Sequence, residues 1–487
     1  MKNQHDTPEF SGADAASAGT LRPGAIGVVG GAIMAIAAIS PLTTLGSNLS
    51  VSLVFGVGPA TVLVIVLIMA VFLFFTAGYV VLSRVVVDSG AYSAYVAHGL
   101  GSTAGSAIGV IATVGYNLAV VAFAGVAGYF LDNAFEPLGP DLPWWLYSLF
   151  VLTLVGVLGY LGVDMASKVT SFICVLQFLL LSAFVAAVLV GNPAGFRMDV
   201  FSPVGMTGGA FGLSVVFVLL SLASFETTAA YGEEMRDPHR TVPRATYLTL
   251  FLLSTVFVVG TWAVVAAADG YPRAVAQADP GNLVPVLFAA YLGDWAGTAL
   301  NLVIAASIVG AVIAFHNLAT RYLFSSARAG LFPSALGRTH PRRKTPHIAV
   351  LVQLLVTVVF LAPFVATGAD PMLGLLPAIA GYNSLSMIAK MGTCSVSVIA
   401  ASLRGKVTGS LYATRIAPVL ATLGFLAAGA LILVFYAEVT ESDSAWINCM
   451  PLILVACAAY GGLRQRQLDR NGRGSSRTPD PTGGTLC

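Results

Sequence analysis

Lys390 stands in GYNSLSMIAKMGTCS, an apolar stretch in which it is the only charged residue. A lysine at the centre of a membrane helix costs about 2.5–3.5 kcal/mol on insertion scales. It therefore either snorkels to an interface or faces a bundle interior, paired with an acid or with a bound molecule. An interior lysine is also a candidate proton-linked group. Glu226, in SFETTAAYGEEM, is the candidate partner. At ~1.5 Å rise per residue it lies about 10 Å inside Glu233, where a loop begins. It either caps a broken helix or holds an inner gate, or else it serves in coupling or in direct contact with a bound molecule. Tyr116 and Asn117 face a similar choice between joining helices and lining a pocket. His316 reads as a local hydrogen-bonding group. Asp164, Glu233, Glu234, Arg236 and Arg240 read as a charge network on one face.

The elements that hold these residues follow from composition. The 487 residues are 57% hydrophobic and only 9% charged, against about 25% charged in a soluble domain. So few charges cannot cover a water-facing surface, and lipid must be the solvent for most of the chain. Closed barrels use alternating segments of about 10 residues. The runs here are about twice that length and continuous in Leu, Val and Ala, which is the helical solution. Five cysteines, Cys174, Cys394, Cys449, Cys457 and Cys487, form no metal-type pair; the four in helices read as small buried apolar residues.

Apolar runs and breakers predict an all-α membrane protein with twelve spans. They are 24–52, 59–83, 102–131, 144–163, 168–191 and 208–232, then 244–268, 294–323, 347–366, 373–402, 416–438 and 445–463. Residues 1–22 and 464–487 are polar and read as disordered cytoplasmic tails around a transmembrane domain at 23–463. With both tails inside, only Arg197 and Arg273 of the 24 basic residues fall in outer loops, as the positive-inside rule requires.

Spans 1 and 6 depart from ordinary membrane helices. Span 1 meets Ser40-Pro41 midway and continues through Leu42, Thr43, Thr44, Gly46, Ser47 and Asn48. Proline removes an amide donor and clashes with the preceding turn, and the polar run beyond it points to unwinding. Span 6 turns from aliphatic to polar at Ser221, Ala223, Ser224, Phe225 and Glu226, without Pro or Gly. Paired breaks, one in each half, are the best sequence pointer to a transporter site. Free amides near Leu42 suit a carboxylate, and unwound carbonyls suit an ammonium. Together they would bind a zwitterion, its side chain lying against spans 3, 6 and 8.

Four segments carry a family resemblance. SFETTAAYGEEMRDPHRTVPRA from Ser224, RYLFSSARAGLFP from Arg321, DSGAYSAYVAHGLG after span 2 and GVDMASKVTSF from Gly162 occur in family order and spacing. The chain resembles the amino acid–polyamine–organocation (APC) permeases. The resemblance implies a five-plus-five inverted repeat, 24–191 and 208–402, with two extra helices at 416–463 and alternating access around a midplane site. Where many members have a Gly-rich break, this chain has Ile39-Ser40-Pro41-Leu42-Thr43-Thr44. The span-5 lysine that replaces sodium in some proton-coupled members falls on Gln177. The aromatic gate of some exchangers falls on Leu220, with Phe217 a turn earlier and Phe225 after it.

No P-loop, HExxH or GxSxG arrangement is present, so the expectation is a transporter rather than an enzyme, without cofactor, metal site or nucleic-acid partner. The predicted function is secondary active amino acid transport across a bacterial plasma membrane, by a monomer or homodimer, proton-coupled or exchanging. Sodium stays open, since its ligands would be carbonyls and hydroxyls such as Thr43 or Ser307. A polyamine or organic-cation carrier would favour more pocket carboxylates than Glu226. A substrate sensor would append a sizeable soluble domain.

Overall fold

The computed structural model describes residues 26–86, 90–135, 139, 142–161, 163–204, 206–222, 227–230, 235–269, 273–341, 343, 345–440, 442 and 444–472. Among them there is no strand, only an isolated parallel bridge between Ile26 and Met235. Among the described residues, nine helical segments are long and apolar enough to cross a membrane. They are Val28–Phe55, Gly58–Ser83, Ser102–Phe135, Ser171–Gly191, Pro238–Ala267, Asp294–Arg328, His347–Ala366, Pro371–Leu403 and Tyr412–Val434. Trp144–Leu161, Gly208–Leu220 and Met450–Arg470 are the helices at the three remaining expected positions, and the twelve are numbered as spans in chain order. The face from which span 1 starts is called the near face, the opposite one the far face.

Span 1 is interrupted where its sequence demands it. Helix Val28–Ile39 ends at Ser40, whose φ of 52° and ψ of 78° are left-handed. Proline disfavours the α conformation in the residue before it, and Pro41 then sits at the first position of the next helical piece, where its missing amide costs nothing. A left-handed non-glycine residue costs about 1–2 kcal/mol, so neighbouring groups must hold Ser40 in place. Beyond Pro41–Thr44 the chain widens into a π-helical turn, Leu45–Leu49. Hydroxyls take up carbonyls along this stretch: Thr44 donates to Ile39 O (2.7 Å), Ser47 to Thr43 O (2.7 Å) and Ser50 to Leu45 O (2.8 Å). The polar run in the sequence is thus the set of donors that an irregular backbone in a dry interior requires.

Span 6 stops differently. Helix Gly208–Leu220 closes on a Ser221–Leu222 turn in which Ser221 Oγ donates to Phe217 O (2.7 Å) and Leu222 N to Leu219 O (3.0 Å). Helix resumes at Thr227–Ala230. Ala223, Ser224, Phe225 and Glu226 lie outside the described residues.

Spans 3 and 8 pack along their length, and span 12 lies against span 3. A Cβ on Gly461 of span 12 would come within 2.5 Å of Ser106 O, so only glycine lets these backbones approach so closely. Span 12 runs through Arg470, past the expected tail boundary at 464. Its last turns find partners on the near face: Tyr460 donates to Leu331 O (2.8 Å), Arg464 to Gly330 O (3.2 Å) and Ser106 to Gln465 Oε1 (2.8 Å). Leu468 packs over Gly330.

Two short connections cover the ends of the bundle. On the near face, helix Tyr92–Leu100 is tied to the end of span 10 by Ser397 to Tyr95 O (2.7 Å), Lys406 to His98 O (3.0 Å) and Arg404 to Gly99 O. Burial, reinforced by the Lys406 charge, holds the His98 imidazole below its ordinary pKa. On the far face, Asp279 accepts from the Tyr129 hydroxyl and from Asn282 N (3.3 Å), leading into helix Leu283–Leu292.

Candidate functional site

Span 10 presents Asn383, Ser386, Met387 and Lys390 at intervals of three, four and seven residues, the spacing of one helical face. With Gly115, Tyr116 and Ala119 of span 3, Leu220 at the end of the span-6 helix and Phe315 of span 8, they line a buried cavity of about 20 Å³. A water needs about 10–15 Å³ measured this way, whereas sites for drug-sized ligands run to about 300 Å³ and more. Among the described residues, this cavity has space for water and not for an amino acid. Ser384, on the neighbouring face, donates to Val216 O (3.1 Å) and ties span 10 to span 6.

Lys390 is 4% exposed. Its Nζ lies 3.7 Å from the Tyr116 ring centroid and 5.9 Å from that of Tyr92. Tyr116 stacks in turn on Tyr322, with centroids 5.2 Å apart and planes at 26°, and lies 6.3 Å from Phe315. Phe315 stacks on Phe123 at 4.5 Å. The ammonium thus sits at the near-face side of the cavity, against an aromatic wall whose negative ring faces attract it. It does not snorkel to an interface.

The second polar cluster is the span-1 break. Gln177 of span 5, 2% exposed, directs its carbonyl oxygen at the Leu42 amide (3.0 Å) and accepts from Ser40 Oγ (3.4 Å). Ser40 Oγ also donates to Thr43 Oγ1 (2.8 Å). In this conformation the Leu42 amide is occupied by Gln177, and the Ile39 carbonyl by the Thr44 hydroxyl. Gly46 lies within the π turn, facing Ile304 and Phe130.

The structure therefore brings Tyr116, Leu220 and Lys390 together on the cavity, and Ser40, Leu42, Thr43, Thr44 and Gln177 together at the break. Among the described residues, span 1 and span 5 do not line the cavity. Phe217 is fully buried off the cavity, its carbonyl capped by Ser221. Asn117 is also off it, donating through Nδ2 to Thr113 O (2.7 Å), with Oδ1 unpartnered among the described residues. His316 Nδ1 is hydrogen-bonded across to Gln353 Oε1 of span 9, and Gln353 Nε2 donates to Thr357 Oγ1 (2.8 Å). Asn383, Ser386, Met387 and Phe315 were not anticipated. The period of span 10 about Lys390 would have pointed to the first three.

Residues 24–456 match the amino acid permease family. The chain belongs to that family. Its relatives include the branched-chain amino acid permease BcaP of Bacillus subtilis, 24% identical over 310 residues, 60% of this chain and 65% of that one. The L-asparagine permease of Salmonella typhimurium is 26% identical over 437 residues, 84% and 83% of the two chains. The low-affinity putrescine importer PlaP of Escherichia coli K12 is 21% identical over 225 residues, 45% and 49%. The chain thus spans about two thirds of the first of these and half of the last. Family membership and the apolar helices make it a multi-pass membrane protein of the APC superfamily.

Proposed function

We propose that this protein is a secondary transporter that carries amino acids across a bacterial plasma membrane by alternating access. The observation that carries the reading is a water-sized cavity between spans 3, 6, 8 and 10 that is lined by Leu220, where the span-6 helix stops. A span that ends at the cavity wall can swing without deforming its neighbours, and opening there would enlarge the space to fit a substrate. The break in span 1 supplies a second hinge, five spans earlier in an inverted repeat of 24–191 and 208–402. The span-1 amides and the span-6 segment at 221–226 then hold the α-carboxylate and α-ammonium, with Gln177 releasing Leu42 as substrate arrives.

The loop arginines and lysines support an orientation with the near face and both termini in the cytoplasm. Transport is driven by a proton gradient or by exchange, and Lys390 lies in the path. The test is uptake by the purified protein in liposomes, using a pool of amino acids and polyamines with and without an inward proton gradient. Amino acid accumulation that rises with the gradient is expected. Binding without uptake would convert the protein to a sensor, and uptake of polyamines alone to an organic-cation carrier.

A further inference from the structure

The near-face junction of spans 4 and 9 carries charge that the transport reading does not use. Between Asp294 and Asp370 the sequence has no acidic residue and six Lys or Arg, and between Asp141 and Asp199 the one acidic residue is Asp164. No pairing within these two segments can cancel that excess. Loop placement alone accounts for basic residues on the near face, but not for the way Arg343 is held. Its guanidinium carbon lies 4.5 Å from the Tyr160 ring centroid, and its Nη1 donates to Tyr160 O (3.3 Å). Its backbone amide donates to His340 Nδ1 (3.3 Å). The His340 ring stands edge-on to Tyr160 (5.7 Å) and to His347 (5.4 Å).

An arginine that only sets topology needs no fixed orientation. This one is exposed, yet a ring and a carbonyl orient it. A guanidinium offers five N–H donors in a rigid fork that matches phosphate oxygens two at a time, and Tyr160 O takes one of them.

Apolar surface leads inward from the same point. Val157 stands one turn before Tyr160 on span 4, and Leu351 and Leu355 stand one and two turns after His347 on span 9. All of them are exposed. The two spans pack directly, for a Cβ on Gly156 would lie 2.6 Å from Leu354. Both apolar stripes therefore start beside His340 and run into the hydrocarbon. A soluble phosphate would use the arginine and leave the stripes unused, whereas a phospholipid uses both.

We propose that the near-face junction of spans 4 and 9 is a binding site for an anionic phospholipid. Its headgroup phosphate meets Arg343, and its acyl chains lie along Tyr160 and Val157 and along Leu351 and Leu355. The site is independent of what the protein carries, so its failure would leave the transport reading untouched.

The full-length protein in neutral detergent, titrated with phosphatidylglycerol or phosphatidylcholine of identical chains and read by native mass spectrometry, tests this. Phosphatidylglycerol should be retained about fivefold more tightly, the scale of one basic residue at an anionic surface. Arg343→Gln should remove most of that preference, and Arg343→Lys, which keeps the charge without the fork, should recover part of it. Arg415→Gln, at another exposed arginine of the near face, should leave the preference unchanged. Equal retention of the two lipids by the unmodified protein would overturn the site, and this needs no variant to fold. A loss in Arg415→Gln as large as in Arg343→Gln would overturn it too, by making the preference a property of the whole basic face. Displacement of phosphatidylglycerol by an equal concentration of glycerol phosphate would turn the site into one for free phosphate and defeat the lipid assignment.

Discussion

The span-1 break and the wall around Lys390 are both buried and polar, but they are held by different forces. At the break, Gln177 Oε1 and the hydroxyls of Ser40 and Thr44 meet defined atoms at 2.7–3.4 Å. Each bond is directional, and together they hold Ser40 in a conformation it would otherwise leave. Lys390 lies against ring faces at 3.7 and 5.9 Å, whose attraction acts over a broad range of positions. Directional bonds suit a backbone that must keep one shape until a substrate competes for its amides.

The largest effect should come from removing the break's central acceptor. Gln177→Leu leaves the buried Leu42 amide without that partner, a loss of about 1–3 kcal/mol. Thermal unfolding in detergent should register it, and uptake should fall by about tenfold or more. Gln177→Glu, which keeps an acceptor oxygen, should recover part of the activity. Unchanged behaviour in Gln177→Leu would mean that the bond to Leu42 does not hold the break, and the contrast with Lys390 would collapse.

Ser40→Val comes next. A β-branched residue is strained in the left-handed region and brings no hydroxyl, so stability should fall by about 1–2 kcal/mol. Ser40→Gly removes the steric cost but also the bonds to Thr43 and Gln177, and its melting temperature should lie between the Val variant and the unmodified protein. A glycine variant as unstable as the valine one would place the value of Ser40 in its hydroxyl alone.

The smallest effect belongs to the other region. Tyr116→Phe keeps the ring face under Lys390 and gives up only a hydroxyl, so at most about 1 kcal/mol of stability is lost. Uptake should stay within about twofold, since the cation–π contact survives. A large drop in uptake would show that the Tyr116 hydroxyl, and not its face, governs the lysine.

Local rules made some of this arrangement legible in advance. Pro41 has no N–H to donate, so a break at Ser40 followed from one dipeptide, and the hydroxyl run after it named the groups that repair the break. Span 6 carried a weaker signal. With neither Pro nor Gly, its helix closes on a turn in which the Ser221 hydroxyl and amide both donate to the Phe217 carbonyl, a contact that threonines also make inside unbroken spans of this chain. The capping role of Gln177 was not legible, because its partners lie 135 and 137 residues away and no periodicity reports such a contact. Lys390 was conspicuous as a charge, yet its aromatic neighbours come from span 3 and from helix Tyr92–Leu100, which only packing brings together. The end of span 12 was read as tail from its arginines and glutamines. Leu468 carries the helix onward because Gly330, 138 positions earlier in the chain, leaves it a place to dock.

That docking sets an order of events during biosynthesis. Spans 3 and 8 are both complete in the nascent chain before residue 330 is followed by span 9, but the near-face contacts of Ser106, Gly330 and Leu331 are with Gln465, Arg464 and Tyr460. Those residues belong to span 12, which follows both spans in the chain. The clasp therefore closes only after spans 3 and 8 have both been made, and it is the step that ties their near-face ends together.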